Sequence, residues 1–313
     1  MPGLITNYIF GERCFHSLSP NYLKNVINTH PNAYRIGLQG PNIFFYDMSN
    51  HSRRRPNNIC NLLHEKHTGS FFGHMIDFMD LQEDESRQTC IAYIAGFLCH
   101  YSLDTHTHPY ITYRYTKDIQ EHPELLKRPF YYQRLETFLD ILLLRRINHM
   151  SPEQLNLEAL VNVSKKERLC IAGCLSYALR HTYRYRISPK TLNRVLMSMR
   201  KTCIFLQSNP QMRRRLSSFL EKHLHHSGPA ACFIYPEFTG DPKDYLNESK
   251  NPWTAGQEGS VSNESFFELL NNANDISHQL LDSLDDYLAW NGSKQNLMHM
   301  ISSKSYYTGQ RTP

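Results

Sequence analysis

Histidine is the residue type whose placement could carry chemistry: the chain has 17 in 313 residues, and imidazole is the commonest protein metal ligand. The densest cluster is Gly96-Phe97-Leu98-Cys99-His100-Tyr101-Ser102-Leu103-Asp104-Thr105-His106-Thr107-His108-Pro109. On a helix, side chains four residues apart project from one face, so His100 and Asp104 converge and His108 follows near the helix end. An imidazole and a carboxylate one turn apart suit a borderline cation such as zinc. Apolar neighbours on both sides point the pair inward, where polar groups need partners. A buried His–Asp hydrogen bond without metal is the other reading of the same spacing. Two more segments add ligand types. His64 lies in Asn61-Leu62-Leu63-His64-Glu65-Lys66-His67-Thr68-Gly69, and Glu136 follows Arg134 and Leu135. Singly, His64 reads equally as a helix-end histidine, and Glu136 as a surface carboxylate pairing with Arg134 or Lys127. Three histidines and two carboxylates from separate segments together read as a metal site.

The elements that must position these residues are helices. Ser19-Pro20 opens a short helix that runs towards His30, with Pro31 stopping it. A turn at 37–41 and an extended aromatic run at 43–46 follow, then a polar, basic loop at 50–58. A long helix is expected from about Asp84 to His106, blocked by Pro109. Another runs over about 129–147, with Leu135, Phe138, Leu139, Leu142 and Leu143 as its apolar stripe. Ser151-Pro152, the box Ser164-Lys165-Lys166-Glu167, Ser188-Pro189 and Asn209-Pro210 each predict a helix start. After a Pro- and Gly-rich stretch at 228–259 comes an amphipathic helix over about 263–290, then a polar tail expected to fray from Asn291. The aromatics of that stretch (Phe233, Tyr235, Phe238, Tyr245, Trp253) predict a loop packed on the bundle and not a linker. The chain therefore reads as all-α, a single multi-helix bundle spanning residues 1–313, with ligand motifs within 3–145 and a helical part from about 150.

Composition agrees with a globular protein: 40% hydrophobic and 20% charged residues, with a net charge of +5. The runs Arg53-Arg54-Arg55 and Arg213-Arg214-Arg215 read as solvated helix ends or loops, or as attractors of phosphate. No basic-aromatic repeat points to nucleic acid. No stretch reaches the roughly 20 apolar residues of a membrane span, and the N-terminus lacks the pattern of a secretory signal. Eight cysteines without CxxC pairs, scattered among apolar residues, read as reduced thiols of a cytoplasmic protein. Nothing in the sequence sets an oligomeric state.

The order of segments resembles the zinc-dependent phospholipase C family. The motifs that carry it are Thr6-Asn7-Tyr8-Ile9-Phe10-Gly11-Glu12, Gly40-Pro41-Asn42-Ile43-Phe44-Phe45-Tyr46, the segment 64–72, the 96–109 block and Arg134-Leu135-Glu136. Beyond residue 145 the likeness rests on helical character and Ser262-Asn263-Glu264-Ser265-Phe266. The resemblance implies a helical bundle with up to three zinc ions at the base of a cleft, acting on a phosphodiester through an activated water. It implies that His64, His100 and Asp104 are ligands of one zinc, that Asp104 is shared with a second, and that His108 and Glu136 belong to the third. Three positions depart from the pattern: Asn7 and Tyr132 stand where histidine ligands are expected, and Asn42 where an aspartate is. A neutral amide or phenol binds zinc weakly, and an amide takes no proton from water. One or two zinc ions are therefore expected, with His67 and His106 as nearby substitutes. The expected activity is hydrolysis of a phospholipid or another small phosphodiester. The alternative is a non-catalytic relative that binds a metal or a phosphorylated ligand.

Overall fold

The computed structural model describes residues 3–46, 59–127, 131–208, 241, 243–255, 261–306 and 309–310. The helices are α1 (Leu4–Ser17), α2 (Tyr22–Thr29), α3 (Pro31–Gly37), α4 (Ile59–Glu65), α5 (Thr68–Asp80), α6 (Asp84–Glu121), α7 (Tyr131–Asn148), α8 (Lys165–Tyr183), α9 (Pro189–Ser208), α10 (Phe266–Leu288) and α11 (Lys294–Ile301). Two 3-10 segments, Gly40–Tyr46 and Pro123–Lys127, join them. A short strand pair sets Trp253–Thr254 antiparallel to Val261–Ser262. The fold class is all-α.

Helix α6 is the axis. Its 38 residues extend about 57 Å at 1.5 Å per residue. Its middle, residues 89–105, is buried on every side, as a stretch apolar around its whole circumference requires. Helices α3 and α10 pack on it most extensively. The α3 crossing depends on two glycines. A Cβ on Gly37 would stand 2.2 Å from the Tyr93 carbonyl oxygen, and one on Gly96 would stand 2.1 Å from that of Tyr34. This approach is what brings the Leu38 carbonyl up to α6. On the opposite side, Ser102 donates to the Ala273 carbonyl and accepts from Ser277 at 2.8 Å, pinning α10. Gly96→Ala is expected to push α3 off α6 and lower stability by about 1–3 kcal/mol, the usual cost of overpacking. Urea unfolding measures it, and an unchanged midpoint would contradict the crossing.

Several local expectations are corrected. Pro109 does not block the helix, because α6 continues to Glu121. Proline removes one amide and leaves the Thr105 carbonyl without its helical donor. The backbone of Gly309 packs against that carbonyl, while Thr105 and Thr107 hydroxyls bond back to Tyr101 and Leu103 at 3.0 and 2.9 Å. Burial on both flanks outweighs the local cost of roughly 3 kcal/mol. The short helix does end before Pro31, as expected, and Pro31 in turn opens α3 at its first turn. The cap of α2 is Asn21, whose side chain accepts from the Lys24 amide at 2.8 Å, and not Ser19. The aromatic run at 43–46 is part of a 3-10 segment and is not extended.

Ser151-Pro152 opens turns and no helix. Gln154 and Asn156 side chains accept from the Ser151 and Ala159 amides at 2.8 and 3.0 Å, local bonds that compete with helical ones. The box at Ser164 and Glu167 forms as expected and starts α8, and a second box, Ser265 with Glu268, starts α10. Helix α9 begins at Pro189. The polar tail does not fray: Ser293 caps α11, and residues 302–306 fold back on α5 and α6, burying Tyr306. Tyr245 and Trp253 are also buried. The buried Asp118 helps anchor that part of the chain, accepting from Tyr131 and Tyr245 hydroxyls at 2.6 and 3.3 Å and from the Lys243 ammonium at 3.2 Å.

Both arginine runs, the loop at 50–58, the start at Asn209-Pro210, and Phe233, Tyr235 and Phe238 lie outside the described residues. Among the described residues, no helix is long and apolar enough to cross a membrane.

Candidate metal centre

Two helices meet at one buried point. Helix α6 contributes His100 and Asp104 from consecutive turns, and α4 contributes His64 near its last turn. The Nε2 atoms of His64 and His100 each lie 3.3 Å from Asp104 Oδ2. All three ligand atoms fall within 4.8 Å of one another, and His64 and Asp104 are 0% exposed. The rings are aimed by the backbone. His64 Nδ1 lies 2.5 Å from the Cys60 carbonyl, and His100 Nδ1 lies 3.0 Å from that of Leu38. A carbonyl only accepts, so Nδ1 carries a proton in both rings and Nε2 is the atom turned to the carboxylate. This is the outer-shell pattern that fixes tautomer and orientation in histidine metal sites.

The 3-10 segment holds His100 from behind. Gly40 has φ +48, and a Cβ there would stand 2.1 Å from the His100 ring. Only glycine fits a left-handed backbone pressed against the imidazole.

Electrostatics separates the roles. Burial pushes the Asp104 carboxyl up, but His100, His64 and His108 around it outweigh that and hold it well below the usual carboxylate range. Burial pushes His64 below its ordinary value against the pull of Asp104. Burial likewise sets His108 well below. An ionised carboxylate therefore sits between the Nε2 atoms of His64 and His100 in a fully buried position. A shared cation satisfies all three ligand atoms at once.

A family model described as zinc dependent phospholipase C matches residues 8–184, more than half of the chain. The chain belongs to the zinc-dependent phospholipase C family. No curated protein and no solved structure matches. Membership makes zinc the family's metal, and the donor set fits it. Two imidazole nitrogens, each on a ring whose Nδ1 is directed at a backbone carbonyl, and one carboxylate are ligands of the kind that zinc takes in sites with three protein ligands.

The other residues expected as ligands lie outside that group. His108 is buried on α6, with its ring centroid 6.3 Å from that of His64. Its Nδ1 lies 2.7 Å from the Tyr132 hydroxyl, which is 3.4 Å from Thr112 Oγ1, and the two rings stack at 21°. Glu136 is buried one turn after Tyr132 on α7. Where the resemblance leads one to expect a second imidazole, the Tyr132 phenol hydrogen-bonds to His108. Among the described residues, the ligand group that gathers within one metal's reach is His64, His100 and Asp104. His67 and His106 do not join it: His67 is exposed beside Tyr183, and His106 Nδ1 lies 2.8 Å from the Ser102 carbonyl.

Asn7 and Asn42 are both buried. Asn7 Nδ2 reaches Gln39 Oε1 at 3.5 Å. The first turn of α1 is held by Asp140 of α7, which accepts from the Ile5 and Thr6 amides at 3.1 and 2.7 Å and from the Thr6 hydroxyl at 2.7 Å. A carboxylate at a helix N-terminus is favourable both as a cap and towards the helix dipole. Sequence reasoning missed Asp140, Gly40 as the backing of His100, and Tyr306. Tyr306 lies over the cluster, with its ring centroid 4.7 Å from that of His64 and its amide donating to the His64 carbonyl at 2.9 Å. Gly40-Pro41 was a visible turn signal. Tyr306 has no local signal at all.

Proposed function

We propose that this chain is a zinc-dependent phosphodiesterase of reduced metal complement, acting on a phospholipid or another phosphodiester with one zinc held by His64, His100 and Asp104. The observation that carries this reading is the convergence of those three ligand atoms within 4.8 Å, with both Nδ1 atoms directed at backbone carbonyls. When bound, the ion supplies Lewis acidity: it withdraws charge from a phosphoryl oxygen and makes water a better nucleophile near neutral pH. The chain's own residues hold and orient. Cys60 and Leu38 carbonyls fix the two rings, Gly40 admits His100, and the surrounding core excludes bulk water. Asn42 offers no carboxylate to take a proton, so the rate is expected to lack the roughly 10²–10⁴-fold contribution of a positioned base.

That same amide favours a second reading, a non-catalytic relative that binds the metal or a phosphorylated ligand. Hydrolysis of bis(p-nitrophenyl) phosphate and of phosphatidylcholine vesicles, with and without added zinc, separates the two. Zinc-dependent turnover that falls about 100-fold or more in His100→Ala supports the enzyme. Zinc-independent turnover removes the zinc mechanism, and no turnover on either substrate leaves the binding protein.

A further inference from the structure

We propose that residues 302–306 form a displaceable cover over the metal cluster, closed while Tyr306 sits on His64 and opened by rotation about Ser302. The inference rests on the metal-site reading above and adds to it how the site is reached. His64, His100 and Asp104 have no exposed surface to speak of, so no phosphodiester meets them in the closed arrangement. The Tyr306 ring is what closes the His64 side. Its centroid lies 4.7 Å from His64, 6.0 Å from His100 and 5.1 Å from Tyr101.

The attachments of this segment differ from those of the helices beneath it. Ile301, the last residue of α11, is fully buried and fixes one end. Ser302 then adopts φ +42 and ψ 142, a conformation that L side chains rarely take. Strain of this kind persists only where the surroundings impose it and is released when the segment leaves. Beyond Ser302 the contacts to the body run mainly through hydroxyls. Tyr101 Oη donates to the Ile301 and Ser302 carbonyls at 2.9 and 2.6 Å and accepts from the Lys304 amide at 3.1 Å. Thr68 Oγ1 donates to the Lys304 carbonyl at 3.3 Å, and Ser303 Oγ accepts from the Gly69 amide at 3.1 Å. Lys304 is half-buried, and water can replace these partners as the segment lifts. Tyr306 is the one large apolar anchor between the hinge and the described end of the segment. A single aromatic anchor, a strained hinge and hydroxyl contacts make a unit of low local stability over a core of high stability.

Acylation of imidazole by diethyl pyrocarbonate in the full, metal-stripped chain tests this, with each histidine followed by mass spectrometry. The exposed His67 serves as internal reference. His64 and His100 are expected to react slowly in the wild type and about tenfold or more faster in Tyr306→Ala, with His67 unchanged. Tyr306→Phe, which keeps the ring, is expected to behave as the wild type. Hydrogen exchange on the unmodified chain guards against a variant that merely unfolds. The Tyr306 amide is expected to exchange about 100-fold or more faster than the amides of residues 99–107. Equal labelling of His64 and His100 in wild type and Tyr306→Ala, or exchange of Tyr306 in step with α6, overturns the cover. Zinc content reports on the other reading separately. Labelling that responds in a chain that takes up no zinc keeps the cover and removes the enzyme. Bound zinc with unresponsive labelling does the reverse.

Discussion

Purified from zinc-supplemented medium, the wild-type chain is expected to carry about one zinc per molecule, and His100→Ala with Asp104→Ala less than about a tenth of that. Elemental analysis measures both. The size of the effect follows from geometry: the gathered site has three protein ligands, and the double variant leaves only His64 of them. Asp104→Asn is the sharper single change, because it preserves side-chain volume in a fully buried position. It removes the charge that two imidazoles at 3.3 Å surround, so zinc is expected to be lost while the helical signal is retained. Thermal melting gives an independent reading. A ligand bound only by the folded state stabilises by about 4 kcal/mol at a thousandfold excess over its Kd. Wild type is expected to melt higher when zinc is added, and Asp104→Asn to show no such rise. A melting point of the wild type that zinc leaves unmoved, with no metal in the purified protein, would remove the metal centre.

Tyr132→His is expected to raise zinc content from about one to about two per chain, since it places an imidazole beside His108 and in the same turn as Glu136. The Tyr132 hydroxyl at 2.7 Å from His108 Nδ1 now engages the nitrogen on that side of the ring. Phenol is neutral at physiological pH and a poor zinc ligand, so the pair stands as a hydrogen bond with a stacked ring. Replacing it with a nitrogen donor in the same turn as Glu136 offers two imidazoles and a carboxylate, a set of the same kind as His64, His100 and Asp104. Tyr132→Phe separates the effects: it loses the hydrogen bond but adds no donor, and zinc content is expected to stay at about one. If Tyr132→His also stays at one, Glu136 and His108 do not face a common point, and one added imidazole does not make a second site.

The clustering of ligand-type residues on α6 was largely legible because it is written in local spacing. His100 and Asp104 share a helical face by the 3.6-residue period alone, and their apolar neighbours required that face to be buried. The helical class was legible for the same reason, as were the capping box at Ser164 and the start of α9 at Pro189. Expectations failed where a local rule met burial. Pro109 carries a stop signal worth a few kcal/mol, yet α6 is enclosed by α3, α10 and the backbone of Gly309, and continued packing outweighs it. The tail after Asn291 is polar by composition, but Leu297, Ile301 and Tyr306 are enough to dock it.

From the order of residues alone follow the helical class, the ligand types and the pairing within α6. These depend on neighbours within a turn or two, where backbone geometry is nearly invariant. Which ligands share one point, that Tyr132 engages His108, that the Leu38 and Cys60 carbonyls aim the imidazoles, and that Tyr306 roofs His64 are long-range facts. They depend on how α3, α4, α7 and the segment after α11 pack on α6, and that packing is set by side-chain volumes and glycine contacts far apart in sequence. No periodicity within any one segment encodes it.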